Sequence, residues 1–463
     1  MKQTHRNSFK CFLSIIVVIT LTSCAFGQGV KFVSKNKDLD AKYFSASESR
    51  EYEKYSKIIL NQGTKEFFGN YKVDENFFSY IVSNFGIKTL KKICKNGDFN
   101  NPEIWYKYTG NTIHALWFYY SRDNRFHFKD ERRVLEKKGN SKETVLEFSG
   151  DFSLASDIST VKYLKDKGND ITKCFSDDLL TEMRGADIFS VNNEFCYSKR
   201  GEALKGKTYT FRANPSDASL LKNLGIDFVN LANNHTYDYG EEALLDTFDT
   251  LNMYDVPFVG AGRNLDEASR PLYYVVNGRK IAFVAATQIE RSTNYTKEAT
   301  ESRAGVLKTL EPSKYVSVIK EAAKNADTVI ALVHWGTEGD EKYGADQEEL
   351  AMAFVNAGAD CIVGCHSHCL QGVEFIDNVP VYYSLGNYWF AVDEEMPKRY
   401  KTGIAKIIIG EDGRIIPYFL PCEFNMGVTK LITDQSERAS DFAYLESLST
   451  GARVDSKGQI IAK

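Results

Sequence analysis

Between residues 144 and about 425 the chain alternates short apolar, β-rich runs with amphipathic stretches. The runs are VLEFSG (145–150), ADIFSVN (186–192), GIDFVNLAN (225–233), VPFVGAG (256–262), KIAFVAAT (280–287), ADTVIALVHWG (326–336), ADCIVGCHSH (359–368), VPVYYSLGN (379–387), GIAKIIIG (403–410) and RIIPYFL (414–420). Two intervening stretches, GEEALLDTFDTLNMY (240–254) and DQEELAMAFVNAG (346–358), carry apolar residues at helical spacing. Short apolar runs bounded by Gly, Asn and Asp read as buried strands, and their alternation with helices predicts an α/β domain over 144–425.

The texture before this domain is different. Residues 74–122 have helix-like apolar spacing interrupted by Asn96-Gly97 and Asn101-Pro102, which predicts a small, mainly helical module. A charged tether over 30–60 precedes it, and the charged, non-periodic stretch 130–143 reads as a linker, so 24–143 forms tether and module. The end of the chain, 426–463, is polar and reads as a tail.

The first 23 residues have a basic start, an apolar run of roughly a dozen residues and a small-residue end; that run is shorter than the ~20 a bilayer span needs and reads as a secretory signal. Its ending, Leu21-Thr22-Ser23-Cys24, resembles the lipobox of bacterial lipoproteins, in which the cysteine (here Cys24) is lipidated; plain cleavage a little later, in AFGQG, is the alternative. Such lipid anchors a protein without a spanning helix. The expectation is an exported, lipid-anchored cell-envelope protein.

Composition narrows this further. The chain is ordinary globular material, 43% hydrophobic and 26% charged, and a net charge of −4 argues against nucleic-acid binding, which requires cationic neutralisation of phosphates. Of nine cysteines, Cys11 lies in the signal and Cys24 is the lipidation candidate; the odd remainder excludes a complete disulfide framework.

Candidate chemistry follows the strands. VLEFSG runs into Asp151, ADIFSV into Asn192-Asn193-Glu194, GIDFVNLA into Asn233-Asn234-His235, ADTVIALV into His334 with Glu338 beyond it, and ADCIVG into His366 and His368. The carboxyl ends of strands are where open α/β sheets bind ligands. One histidine at a strand end reads as a structural residue, but four of only seven histidines stand at these ends, beside carboxylates and amides. That collection predicts a metal site.

In an extended segment residues two apart point to one side, ~6.5–7 Å apart, so His366 and His368 could each reach one of two ions ~3.5–4 Å apart. Carboxylate, amide and imidazole donors suit manganese, iron or zinc. By the same alternation Cys361, Cys365 and Cys369 face away from the histidines, into packing against a helix.

Two motifs compete for attention. Gly201–Thr208 (GEALKGKT) has the spacing of a phosphate-binding loop, but it neither leaves a strand directly nor opens a helix, and reads as a surface loop. Asp238-x-x-Glu241 ahead of an apolar helix reads as a capping box.

Taken in order, Gly150-Asp151, Asn192-x-Glu194, Ala232-Asn233-Asn234-His235 with Asp238-Tyr239-Gly240, Gly260-Ala261-Gly262-Arg263-Asn264, His334-Trp335-Gly336-x-Glu338, Gly364-x-His366-x-His368 and Tyr383-Ser384-Leu385-Gly386-Asn387 resemble the bacterial capsule-synthesis CapA/PgsA proteins of poly-γ-glutamate production. The resemblance covers roughly 145–425. That family is similar in turn to calcineurin-like metallophosphoesterases, which implies a four-layer α-β-β-α sandwich with a dinuclear metal centre. By motif, Asp151 and His368 would bind one ion, Glu194 would bridge both, and Asn234, His334 and His366 would bind the second. His235 would be the general acid, with Asn192, Asn233, Glu338 and Asn387 supporting these residues. The pattern departs at Ser153, where phosphoesterases usually carry histidine, and at Glu194, where they carry aspartate.

The implied function is metal-dependent hydrolysis or transfer at a phosphoester or γ-amide bond during synthesis, processing or export of a capsular polymer. The implied partners are the anionic polymer or its precursor and other capsule-assembly membrane proteins. The competing expectation is a non-catalytic accessory protein that binds polymer or serves export.

Overall fold

The computed structural model describes residues 134–139, 141–391 and 400–463, together with scattered positions between 54 and 116. The signal (1–23), Cys24 and most of the tether lie outside the described residues. Two compact units divide the chain at Arg132/Arg133.

In the first unit, helices α1 (Ile87–Lys95) and α2 (Pro102–Thr109) match the expected helical module. Pro102 opens α2, a position where its missing N–H costs nothing and its fixed φ suits the first turn. Phe77, Phe78, Leu90, Ile93 and Trp105 form a buried cluster. Among the described residues no helix is long and apolar enough to cross a membrane.

The second unit contains two large sheets. The first has seven strands: β1 (Val134–Lys137), β6 (Leu272–Val276), β7 (Arg279–Thr287), β8 (Thr328–His334), β9 (Cys361–Cys365), β11 (Val379–Tyr382) and β10 (Val373–Ile376), in that spatial order. The second runs β15 (Val428–Leu431), β14 (Ile415–Asn425), β13 (Lys401–Ile409), β2 (Thr144–Phe152), β3 (Ile188–Asn193), β4 (Phe228–Asn230) and β5 (Phe258–Val259), with β12 (Asn387–Trp389) also paired to β2. Strands β7, β8 and β9 run parallel in the first sheet, and β2, β3, β4 and β5 run parallel in the second. Each of the ten predicted runs contains strand.

Side-chain alternation explains the layering. Along β7, Ile281, Phe283 and Ala285 join a core between the sheets, whereas Ala282, Val284 and Ala286 join another beneath helices. The inter-sheet core draws Leu146, Phe148, Ile188 and Phe228 from the second sheet and Phe283, Leu332 and Val363 from the first. Phe283 is its hub, with ring centroids 4.7 Å from Phe228, 6.0 Å from Tyr274 and 6.1 Å from Phe148. Helices α6 (Pro312–Asn325) and α7 (Ala345–Ala357) cover the outer face of the first sheet through Tyr315, Ile319, Leu350 and Phe354. Helices α3 (Ser159–Asp166), α4 (Asp177–Gly185) and α5 (Gly240–Met253) cover that of the second through Leu164, Leu179, Met183, Leu244 and Phe248. Three cores between four layers make the expected α-β-β-α sandwich.

Three expectations need correction. The stretch read as a linker, 130–143, contains β1, which pairs in parallel with β6. The stretch read as a polar tail, 426–463, is folded: it holds β15, helix α8 (Gln435–Leu448) and the hairpin β16 (Ala452–Val454) and β17 (Ile460–Ala462). Four of its apolar residues, Phe442, Leu445, Ala452 and Ile460, enter the inter-sheet core. Polarity misled because α8 buries so narrow a face. Finally, Cys361 faces the other sheet rather than a helix, and Cys365 Sγ lies 4.0 Å from Ser149 O on β2.

A tail and a core element respond differently to truncation. Leu445→Ala is expected to lower unfolding stability by ~2–5 kcal/mol in urea denaturation. A change within about 0.5 kcal/mol, as at an ordinary surface position, would contradict this placement.

Candidate metal centre

The carboxyl ends of the parallel strands in both sheets meet at one edge of the sandwich. Register does much of this: Asp151 lies opposite Asn192 and Asn387, and His334 lies opposite Cys365, one residue before His366. Two glycines permit the close approach. A Cβ at Gly150 would sit 1.9 Å from Gly386 O, and one at Gly364 would sit 2.1 Å from Tyr383 O and 2.4 Å from Trp335 Nε1. Both therefore hold backbone against backbone beside a site residue. Asp151 N–H donates to that Gly386 carbonyl at 2.9 Å, and the Trp335 indole N–H donates to that Tyr383 carbonyl at 2.8 Å.

Every residue expected at the site is brought together there. Asp151, Glu194 and His334 are fully buried, and Asn234, His235, His366 and His368 nearly so. Their donor atoms form three overlapping groups, Glu194/His334/His366, Asp151/Glu194/His368 and Glu338/His366/His368, with the atoms of each group within 4.8 Å of one another. Asn234 joins through Oδ1, 2.7 Å from His334 Nε2. Glu194 Oε1 is central: His334 Nε2 is 3.6 Å away, and His235 Nε2 and His368 Nε2 are each 3.9 Å away. These separations exceed hydrogen bonds, yet donors sharing an ion at ~2.0–2.2 Å lie ~3–4 Å apart.

Two buried atoms point to the same conclusion. Glu194 Oε1 and His366 Nδ1 have no hydrogen-bond partner among the described residues, a costly state unless something else satisfies them. The donor set of carboxylates, an amide and imidazoles fits divalent metal.

The electrostatics agree. Burial raises the Glu194 pKa well above its ordinary value, and the Asp151 charge raises it further. Burial also works to raise Asp151, but the hydrogen bond and charge of His368, helped by His334, outweigh it and hold that carboxyl below its usual range. Burial lowers His334 to about 3, against the pull of Asp151. His366 falls well below its ordinary value through burial and then the neighbouring His334 and His368. His334 and His366 are thus neutral, the form that binds metal.

The supporting residues orient this set. Asn192 Nδ2 lies 2.8 Å from Asp151 Oδ1 and 3.2 Å from His334 Nδ1. The Asn233 amide donates to Asn192 Oδ1 at 3.2 Å, while its own Oδ1 accepts the backbone N–H groups of His235 and Thr236. Asn387 Oδ1 lies 2.8 Å from His368 Nδ1. Glu338, half exposed, reaches within 4.0 Å of His368 Nε2.

Strand alternation does not orient the two close histidines. Strand β9 ends at Cys365, and His366 and His368 take φ of +106° and +56°. A left-handed loop, rather than the pleat, aims both rings inward, 5.8 Å apart. The cysteines remain outside the ligand groups: all seven described cysteines are free, and burial followed by the charges of Asp151 and Glu194 pushes the Cys365 thiol up, away from the thiolate a metal needs.

Two residues set aside in the sequence belong to the site. Asp238 does not cap α5, whose start lacks a side-chain cap; its Oδ2 lies 2.7 Å from His235 Nδ1 and accepts Phe211 N–H at 2.6 Å. Glu241, the other half of the supposed box, accepts Ala304 N–H instead. The 201–208 loop is no phosphate cradle, as expected, yet it is not merely surface. Its Lys207 is buried and pairs with Asp238 at 2.6 Å and Glu290 at 3.0 Å. Spacing offered a hint for Asp238, three residues after His235, and none for Lys207, which arrives from a distant loop.

The pattern of the family described as "Bacterial capsule synthesis protein PGA_cap" matches residues 145–392. The chain belongs to this family. It is 31% identical over 263 residues to "Capsule biosynthesis protein CapA" of Bacillus anthracis, covering 55% of this chain and 62% of that protein. It is 33% identical over 227 residues to "PGA biosynthesis protein CapA" of Bacillus subtilis (strain 168), covering 46% and 59%. The match thus spans about three fifths of each relative's length. Among solved structures, the 5'-nucleotidase from Candida albicans SC5314 is similar at a TM-score of 0.33 and 12% identity, over 68% of this chain and 54% of that one.

The buried neutral imidazoles make acid destabilising. In the unfolded chain His334 and His366 protonate below about pH 6.5, whereas folded His334 stays neutral to about 3. The unfolded state then binds more protons, so stability falls as pH falls through that window. In chelator, the two histidines are expected to lower the urea midpoint between about pH 6.5 and pH 5 against the opposing contribution of Glu194, so that His334→Gln with His366→Gln loses less stability than wild type over that window.

Proposed function

We propose that this chain is an exported, lipid-anchored cell-envelope protein whose second unit is a metal-dependent hydrolase acting in the biosynthesis, processing or export of poly-γ-glutamate or a similar anionic capsular polymer. The observation that carries the catalytic part is the buried Glu194 carboxylate, ringed by three imidazole nitrogens at 3.6–3.9 Å with its Oε1 unpartnered. The capsule context is supported by family membership and by the names of the two Bacillus relatives.

Two divalent ions of manganese, iron or zinc are the proposed cofactors. Asp151, Glu194 and His368 would hold one, and Glu194, Asn234, His334 and His366 the other. When bound, such ions polarise an ester or amide bond and make water nucleophilic at neutral pH. The chain's own residues do the rest. Asn192 and Asn387 fix Asp151, His334 and His368 in orientation. His235 turns Nε2 into the site while Asp238 holds Nδ1, so that a proton taken up on Nε2, with Asp238 stabilising the resulting imidazolium, is the one handed to the departing group. Phe211 and Phe390 pack on His235 and His368, with ring centroids 4.4 and 5.0 Å apart, and keep this edge dry.

A non-catalytic accessory role is the second reading, and Ser153 favours it. The hydroxyl that stands where phosphoesterases carry histidine accepts Ala155 N–H at 3.3 Å and adds no ligand.

Metal analysis of the full chain with a phosphodiester and γ-glutamyl hydrolysis assay separates the readings. Two equivalents of transition metal, with turnover lost in His366→Ala, support the enzyme. His235→Asn is expected to lower kcat by ~10²–10⁴-fold with metal content unchanged. Metal without turnover on either substrate class favours the accessory role, and a chain that binds no metal removes the hydrolase reading.

A further inference from the structure

We propose that Lys207 is a positioning residue for proton transfer by His235, gripping that histidine both through its backbone and through Asp238. This rests on the hydrolase reading above and assigns a task within it to a residue outside the ligand groups.

The peptide joining Asn234 to His235 links two different tasks, because Asn234 Oδ1 faces His334 Nε2 at 2.7 Å while His235 turns Nε2 toward Glu194. That peptide is held at both ends. Its carbonyl, Asn234 O, accepts hydrogen bonds from Lys207 Nζ and from Thr296 Oγ1, the latter at 2.7 Å. Its N–H, on His235, donates to Asn233 Oδ1 at 3.1 Å. Lys207 also reaches the ring by a second route. Its Nζ lies 2.6 Å from Asp238 Oδ1, and Asp238 Oδ2 lies 2.7 Å from His235 Nδ1.

The third contact of Lys207 is Glu290 Oε1 at 3.0 Å. An ammonium carries three N–H donors, and a carbonyl and two carboxylates are placed to take all of them. Balancing the Asp238 charge needs one of these contacts; fixing the 234–238 turn uses the other two. The lysine side chain is only 7% exposed, so a partner lost here is not replaced freely by water.

Lys207 is itself braced. Leu204 N–H donates to Asp238 O at 2.9 Å and Phe211 N–H donates to Asp238 Oδ2 at 2.6 Å, so the 204–211 segment straddles Asp238 with Lys207 between its fixed points. On the other side Tyr295 O–H donates to Gly206 O at 2.7 Å, and Thr296 N–H donates to Glu290 Oε2 at 3.3 Å. Two loops distant in sequence thus close on the 234–238 turn, and Lys207 is where they meet. Without it Asp238 keeps its contact with Nδ1 but loses the anchor that sets the direction of that contact.

The test measures kcat, KM and bound metal for the full chain. It uses two substrates of the bond class that wild type cleaves, one with a nitroaryl and one with an alkyl leaving group. Lys207→Met is expected to lower kcat on the alkyl substrate ~10–10²-fold, the scale of a misplaced catalytic group, with KM and metal content unchanged. A nitroaryl group departs with less need of a proton, so the loss on that substrate should be at least ~5-fold smaller. In the His235→Asn background the same substitution should cost less than ~2-fold, because residues that act as a unit are not additive. As large a loss in the double variant as in the single, an equal loss on both leaving groups, or a loss of metal would overturn the inference while sparing the hydrolase reading. A wild-type chain that turns over neither phosphodiesters nor γ-glutamyl amides would overturn both. Lys207→Gln, which keeps a donor and removes the charge, replaces Lys207→Met if that protein does not fold, and the same outcomes decide.

Discussion

Two carboxylates, Asp151 and Glu194, sit fully buried at the ends of neighbouring parallel strands, and much of the site is arranged around that fact. Neither has a lysine or arginine within ion-pairing distance among the described residues; their charged-capable neighbours are histidines. Burying one unpaired carboxylate is costly, and burying two together is more so, because each opposes ionisation of the other. The protein divides the burden unequally. Asp151 keeps its charge through His368 and Asn192, while Glu194 is driven toward the neutral acid. Around them His334 and His366 are held neutral by burial. A cluster in which Glu194 Oε1 and His366 Nδ1 find no partner among the described residues is poised for cations, whose binding would let Glu194 ionise.

That arrangement requires both sheets. Asp151, Glu194, Asn234 and His235 come from the ends of β2, β3 and β4, whereas His334, His366 and His368 come from β8 and β9. Ligand spacing therefore depends on how the sheets pack, which the Phe283 hub and the glycines at 150 and 364 control. The buried triad of His235, Asp238 and Lys207 stands to one side, outside the carboxylate pair. Lys207 compensates Asp238, so that aspartate can support an imidazole without adding a further unbalanced charge to the centre.

The strands and the ligand positions were legible because their signals are local. A run such as ADTVIALVH declares a buried strand and places His334 at its end, whatever the rest of the chain does. What escaped notice depended on distant partners. Lys207 belongs to the site only because the 201–208 loop folds over Asp238, and Asp238 reads as a cap until His235 is seen to claim it. His366 and His368 join the cluster for a reason other than strand alternation: the pleat has ended, and a left-handed loop turns them inward. The terminal segment looked like a tail because α8 needs only Phe442 and Leu445 to anchor it.

The central claim is that the buried pair holds a proton in place of a cation. Titrating Mn²⁺ into metal-free protein near pH 7, by calorimetry in buffers of differing ionisation enthalpy, measures protons displaced on binding. Release of about one proton, from Glu194, is the predicted result. Binding that displaces no proton would mean that Glu194 was already ionised in the metal-free fold, and would contradict the account.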